Sequence, residues 1–336
     1  MATNGLDSDD PPERLTRARL TSVAVWTSAL LVAGFAVVRA LGVETGYPLV
    51  PLVAYTPVVA VAALVLATVL GAMRRWIAAV LVAAAAVVLV ANVLPRAIPG
   101  QDSEAQGPSL RVMTANIKFG EADARELARL VRRKGVELLS VQELTPNAVG
   151  RLRRAGLMRS LPHHALDPAP KSSGGGLLSA MPLRRVQGGA STRGRISLPR
   201  ARLEVPEAIP VEVSVVHPPP PISSGDVDRW EGDLEALPGA SLRGPARMLL
   251  GDFNATLDHA RLRELIASGY VDAADAKGGG LAPTWPVGRL LPPPVTIDHV
   301  LVDQRIQVAE VSIHDLEGTD HRAVMVDVVL PAEGDV

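Results

Sequence analysis

Three long uncharged stretches before residue 100 restrict what this chain can fold into more than any other feature. They span residues 20–38, 47–73 and 76–95, each 19 residues or longer. A helix rises about 1.5 Å per residue, so roughly 20 residues cross a ~30 Å hydrocarbon layer. The stretches are apolar all round and lack the polar stripe of a helix lying on a soluble core. A cleaved signal peptide would account for the first alone, and two more follow it. The pattern predicts a bundle of three transmembrane helices at about 20–41, 48–73 and 76–95. A cytoplasmic tail over 1–19 precedes them, polar and rich in Asp and Pro at its start.

Basic residues orient the bundle. Arg14, Arg17 and Arg19 precede the first stretch, and Arg74 and Arg75 separate the second from the third. The loop over 42–47 has neither Lys nor Arg. The positive-inside rule then puts the N-terminus in the cytoplasm. With three crossings, everything after residue 95 lies outside the cell membrane. The absence of cysteine is compatible with export and does not require it.

Residues 96–109 read as a short exposed linker, and 110–331 as a separate domain. Of 34 basic and 35 acidic residues, 7 and 5 lie in the first 100 residues. The remaining 27 and 30 leave a formal charge of −3, without the basic excess of a protein that grips long nucleic acid.

Within that domain short apolar runs alternate with helical patterns, which points to an α/β sandwich. Strands are expected at 110–115, 136–141, 175–179, 211–216, 247–250, 296–302 and 323–329. An amphipathic helix is expected at 122–134, closed by Gly135.

Polar residues collect where those strands end. The first ends at Asn116, the second at Glu143, the fourth at His217 and the fifth at Asp252, with Asn254 two residues on. Asp298 and His299 follow Ile297, and Gly318-Thr319-Asp320-His321 leads into the last strand. Each alone has an ordinary explanation as a cap, a turn or a structural histidine. Burying so many polar groups without partners is costly, so one shared metal and phosphate site is the economical reading.

In this order the motifs N, QE, H, GDFN, IDH and TDH resemble the endonuclease/exonuclease/phosphatase superfamily. The HPPPP run, GDFNAT, TWP at 284–286 and IDHVLVD are most similar to its membrane-tethered bacterial branch. The resemblance covers 110–330. It implies a four-layer sandwich of two packed sheets flanked by helices, and metal-dependent hydrolysis of phosphoesters. It implies Mg²⁺, replaceable by Mn²⁺, held by Glu143 and Asp320 with Asn116 alongside. Asp252 would orient or deprotonate the attacking water, and Asn254 would hold that water or a phosphate oxygen. His321 would contact the scissile phosphate, fixed in one tautomer by Asp298, and His217 would serve as a second imidazole. Where relatives carry an acid two residues after the first Asn, this chain has Lys118, and the Arg expected after Ser179 is Ala180.

Other candidates carry less. His163 and His164 read as loop residues, His259 as the start of a helix, and His314 has no chelating neighbour in sequence. Residues 171–176 (KSSGGG) lack the spacing of a nucleotide loop and read as a rim of the site. Trp285 fits either lining or packing, and 218–221 would stiffen the loop after His217.

The expected partners are a lipid bilayer, through the helices, and a phosphoester: a lipid head group, a nucleic acid or a small phosphate. No obligate protein partner is evident. The alternatives are a nuclease acting on DNA or RNA, or an inactive binding module of the same fold.

Overall fold

The computed structural model describes residues 11–100, 106–186, 198–240 and 243–334. Expectations that fall on the first ten residues therefore lie outside the described residues. The chain divides into two compact units. One holds the chain up to Val43 together with Thr56–Asn92; the other holds Glu44–Tyr55 and everything from Val93.

The first unit contains helices α1 (Pro11–Leu41), α3 (Thr56–Ala72) and α4 (Trp76–Val93). They meet through small and branched side chains, among them Ala29, Ala63, Ala78, Val82 and Ala86. Two helical segments, Arg19–Leu41 and Trp76–Ala97, are long and apolar enough to cross a membrane by length and composition. The second expected span is not continuous. It breaks at Ala54–Tyr55 into α2 (Leu49–Val53) and α3, and α3 has 17 residues. The break has a local cause. Val50 packs with Trp230, Leu257 and Leu262 of the second unit, so the start of the stretch buries its apolar surface there. Helix α1 also begins earlier than expected, taking in part of the polar tail.

The second unit is a four-layer sandwich. One sheet has strand order β11-β12-β1-β2-β4-β3 and the other β5-β6-β7-β8-β10-β9. The first comprises β1 (Ser109–Asn116), β2 (Leu138–Gln142), β3 (His163–Asp167), β4 (Gly175–Ser179), β11 (Gln307–His314) and β12 (Ala323–Val329). The second comprises β5 (Leu183–Arg185), β6 (Arg200–Leu203), β7 (Val211–Val216), β8 (Ala246–Asp252), β9 (Tyr270–Asp272) and β10 (Asp298–Asp303).

Alternation builds the layers. In β1, Val112 faces the other sheet with Val213, Met248 and Val300. Its neighbour Met113 faces α5 (Ala124–Lys134) and α6 (Pro146–Arg154), alongside Leu127 and Leu152. Leu249 and Leu301 of the second sheet face α8 (Ser224–Glu235) and α9 (Ala260–Ala267) through Trp230 and Leu262. Strands buried on both faces lose the polar-apolar alternation, which is why these runs read as continuous apolar blocks. The short helices α7 (Leu157–Ser160) and α10 (Ala273–Ala276) complete the chain order.

Helix α5 shows how the sequence sets its limits. Asp123 caps the N-terminus by accepting from Arg125 N and Glu126 N, and Gly135 closes it at φ 66°. Two expectations are corrected. His163 and His164 belong to edge strand β3, paired with β4, and not to a loop. Arg96, expected in an exposed linker, is 7% exposed and forms a two-pronged ion pair with Asp258 at 2.7 and 2.9 Å.

Candidate active site

Two parallel strand pairs, one in each sheet, aim their C-terminal ends at one place. Asn116 lies opposite Gln142 in the β1–β2 pair, and Glu143 follows directly. Val216 lies opposite Gly251 in the β7–β8 pair, so His217 and Asp252 emerge side by side. A Cβ on Gly251 would stand 1.9 Å from the Val216 carbonyl oxygen, so only glycine allows this approach. The antiparallel β8–β10 pair puts Asp298 opposite Asp252. The turn before β12 is tied to β1 by Thr319 Oγ1, which donates to the Asn116 carbonyl at 2.9 Å and so places Asp320 and His321.

Contacts are dense. Asn116 Nδ2 donates to Glu143 Oε1 at 3.1 Å and to Asp252 Oδ2 at 3.0 Å. Its oxygen accepts from Lys118 N. Phe119 N donates to Glu143 Oε2 at 2.7 Å. His217 donates through Nδ1 to the Ser172 carbonyl at 3.0 Å, leaving Nε2 at 3.6 Å from both Glu143 and Asp252. The 171–176 loop thus sets the orientation of a histidine. His321 donates through Nδ1 to Asp298 at 2.9 Å, and its Nε2 stands 3.8 Å from Asp252. Asn254 N donates to Asp252 Oδ1 at 2.8 Å, and Asn254 Nδ2 to the Pro218 carbonyl at 2.9 Å.

Backbone strain collects here as well. Glu143 and Asn254 have φ of 59° and 47°, a region costly for side chains with a Cβ and typical of functional positions.

The electrostatics are short of positive charge. Burial, reinforced by Asp298, pushes the Asp252 carboxyl above its usual range. Burial opposes a charge on His321, but Asp298, Asp252 and Asp320 outweigh it and raise its pKa to about 9. Asp298 Oδ1 is buried and accepts no hydrogen bond from the described residues. Carboxylates packed this closely with one unsatisfied oxygen are a donor set suited to a hard divalent cation. Asp252, Asp298 and His321 offer ligand atoms within 4.8 Å of one another. His321 Nδ1 is taken by Asp298, which leaves Nε2, facing Asp252, as its open ligand atom. Glu143, Asp252 and Asp320 present carboxylates on the cavity wall.

Every residue expected at the site lines or borders one cavity of about 430 Å³. Glu143, His217, Asp252, Asn254, Asp320 and His321 line it; Asn116 and Asp298 stand behind them. Trp285 lines it too, donating to Asp320 at 3.2 Å. Thr284 accepts from Ile297 N and Asp298 N, so the TWP motif fixes the start of β10. Sequence reasoning missed Arg289, whose guanidinium lies 5.4 Å over the Trp285 ring and 3.6 Å from Asp320. It also missed Pro51, Ala54 and Tyr55 in the cavity wall.

The model of the Endonuclease/Exonuclease/phosphatase family matches residues 113–321, and the chain belongs to that family. Members hydrolyse phosphoester bonds and generally use divalent metals. Among solved structures, it is similar to an endonuclease/exonuclease/phosphatase from Beutenbergia cavernae. That match has 19% identity and a TM-score of 0.50, over 66% of this chain and 72% of that one. An AP endonuclease from Archaeoglobus fulgidus matches at 12% identity and a TM-score of 0.54, over 66% of this chain and 99% of that one. At such identities the likeness establishes the fold. No curated protein matches.

Proposed function

We propose that this protein is a membrane-anchored, metal-dependent phosphoester hydrolase whose catalytic unit acts outside the cell membrane. The observation that carries the chemistry is the convergence of Glu143, His217, Asp252, Asn254, Asp320 and His321 on one cavity, with Asp298 locking His321. Glu143 and Asp320, with Asn116 alongside, would hold a divalent ion, Mg²⁺ or Mn²⁺. Such an ion supplies relief of charge on the phosphoryl oxygens.

The chain's own groups do the rest. Asp252 orients the attacking water and takes its proton; its raised pKa suits a proton acceptor. Asn254 is held by Asp252 and Pro218 and steadies that water or a phosphate oxygen. His321 presents Nε2 to the phosphate, charged at neutral pH by its three carboxylate neighbours. His217 presents a second imidazole nitrogen from the opposite strand pair.

The −3 charge of the domain disfavours long nucleic acids. An inactive binding module would be expected to lack one of these groups, and all are present. Anchoring is supported by the two apolar helices. Helix α3, at 17 residues or roughly 26 Å, falls within the lower range of a crossing. Arg74 and Arg75, against a basic-free loop over 42–47, support the extracytoplasmic orientation.

The test is a hydrolysis screen of full-length protein in detergent with Mg²⁺ or Mn²⁺, against phospholipids, nucleic acids and sugar phosphates. Turnover that disappears on chelation and in Asp252→Asn supports the reading. Turnover indifferent to both would overturn it. A reporter fused after Val336 that is active only in the cytoplasm would overturn the orientation.

A further inference from the structure

The cavity has two kinds of wall. Carboxylates and imidazoles make up one part of its lining; most of the rest is apolar. We propose that this second wall, built by Pro51, Ala54, Tyr55, Phe119, Pro220 and Ile222, takes the hydrocarbon chain of an amphiphilic phosphoester. Its phosphate would lie at His217, Asp252 and His321. The inference rests on the phosphoester reading above and names its substrate class.

Three observations carry it. The first is size: about 430 Å³ lies within the range of pockets that enclose a whole organic ligand, well beyond a bare phosphate. The second is chemistry. Phe119 and Ile222 line the cavity yet remain 49% and 69% exposed, apolar surface with nothing covering it. Lys118 is the one lysine or arginine among the described lining residues, and Arg289 beside them is engaged by Asp320 and Trp285, too little for a polyanion continuing beyond the site.

The third is construction. The segment Glu44–Tyr55 is built into the catalytic unit. Glu44 accepts from Ala260 N at the start of α9, His259 Nε2 donates to the Val50 carbonyl at 3.1 Å, and Val50 is 1% exposed. The wall is therefore held in place. Tyr55, in that wall, is followed in the chain by Thr56, the first residue of the apolar helix α3. One segment thus joins the cavity wall to an apolar helix along the chain.

The test uses full-length protein in non-ionic detergent with Mn²⁺, titrated calorimetrically with methyl, butyl and octyl phosphate after subtraction of empty-micelle heats. Affinity should rise about fourfold for each methylene laid on the wall until the wall is filled, at least tenfold from methyl to octyl. Phe119→Ser combined with Ile222→Ser should flatten that slope. Equal affinities, an unchanged slope in the double variant, AMP binding tighter than octyl phosphate, or no binding of any of them would overturn the proposal.

Turnover of p-nitrophenyl methyl phosphate and p-nitrophenyl octyl phosphate separates the two readings. In each, water adds to phosphorus and the aryl P–O bond breaks, releasing p-nitrophenol and the alkyl monophosphate. Chain-length-dependent binding with neither ester cleaved would sink the hydrolase reading and leave the amphiphile site standing. Cleavage of both with no chain-length effect on binding or KM would sink the amphiphile site alone.

Discussion

Asp298 and His299 are neighbours on β10, yet each belongs to a different histidine–carboxylate pair, and the two pairs are built for opposite ends. His321 spends one nitrogen on Asp298 and turns the other toward the cavity and Asp252. His299 spends both: Nδ1 on Asp272 at 2.6 Å and Nε2 on the Ala255 carbonyl at 2.9 Å. The Ala255 carbonyl can only accept, and so can Asp272 when ionised, so both ring nitrogens donate when Asp272 carries its charge. Burial opposes a charge on His299, and Asp272 outweighs the burial to hold its pKa up. The same residue types one position apart thus give a group open to a ligand and a group closed into the core. What separates them is whether a nitrogen is left over.

The largest expected effect breaks this comparison on the cavity side. His321→Gln should lower turnover by about 10²–10⁴-fold, and Asp298→Asn should fall in the lower part of that range, with a smaller loss of stability than the core pair shows because His321 keeps Asp252 and Asp320 as neighbours. Asp272→Asn should do the reverse, removing the partner of a buried charge at a cost of about 3–5 kcal/mol of stability. Turnover per folded molecule should survive. Unfolding curves and active-site-normalised rates measured together decide the matter. If Asp272→Asn loses turnover while keeping its stability, His299 is part of the chemistry and the division fails.

Next comes the division of labour among the carboxylates. Asp252→Asn should cut turnover by about 10²–10⁴-fold and leave the metal requirement mostly unchanged, because its duty is to the water. Glu143→Gln should instead raise the metal concentration needed, with partial rescue by excess Mn²⁺. A metal titration of both variants reads the difference. Equal rescue by metal would make Asp252 a ligand.

How much of this was legible in the sequence depends on whether the pattern was local. The strands at 175–179, 211–216 and 323–329 match their expected limits, because each is an apolar run bounded by Gly, Pro or charge. The eight expected residues gather at one cavity because these sheets carry their polar groups at strand ends. Edge strands β3, β5, β9 and β11, and β6 beside an edge, escaped notice. Being short or half exposed, they lack the continuous apolar signature of the central ones. The start of the 47–73 stretch misled for another reason. Hydropathy records that a segment avoids water and not which surface it packs on, so a helix seated beside Trp230 reads like one seated in lipid. His299 could not be told from a site residue either, since only the strand's alternation sends it away from the cavity.

A third histidine sharpens the comparison with the smallest effect. His259 is also closed in, but with the opposite polarity: Nδ1 accepts from Thr256 N at 2.9 Å while Nε2 donates to the Val50 carbonyl. A second proton would face an N–H donor, and burial lowers its pKa to about 4. In the unfolded chain an ordinary histidine titrates near 6.5. Above that value both states are neutral at this site, and it adds no pH dependence. Between about 6.5 and 4 the unfolded chain takes up a proton that the native state refuses, so stability falls as pH falls. Below about 4 the loss levels off. The shift corresponds to about 3 kcal/mol in all, of which about 2 kcal/mol is lost by pH 5. His259→Asn should therefore be less stable than the parent at pH 7.5, and should lose less on acidification to pH 5, in denaturant unfolding of the full-length protein. Parallel pH profiles for the two proteins would show that His259 is not held neutral. The contrast with the charged, closed-in His299 would then collapse.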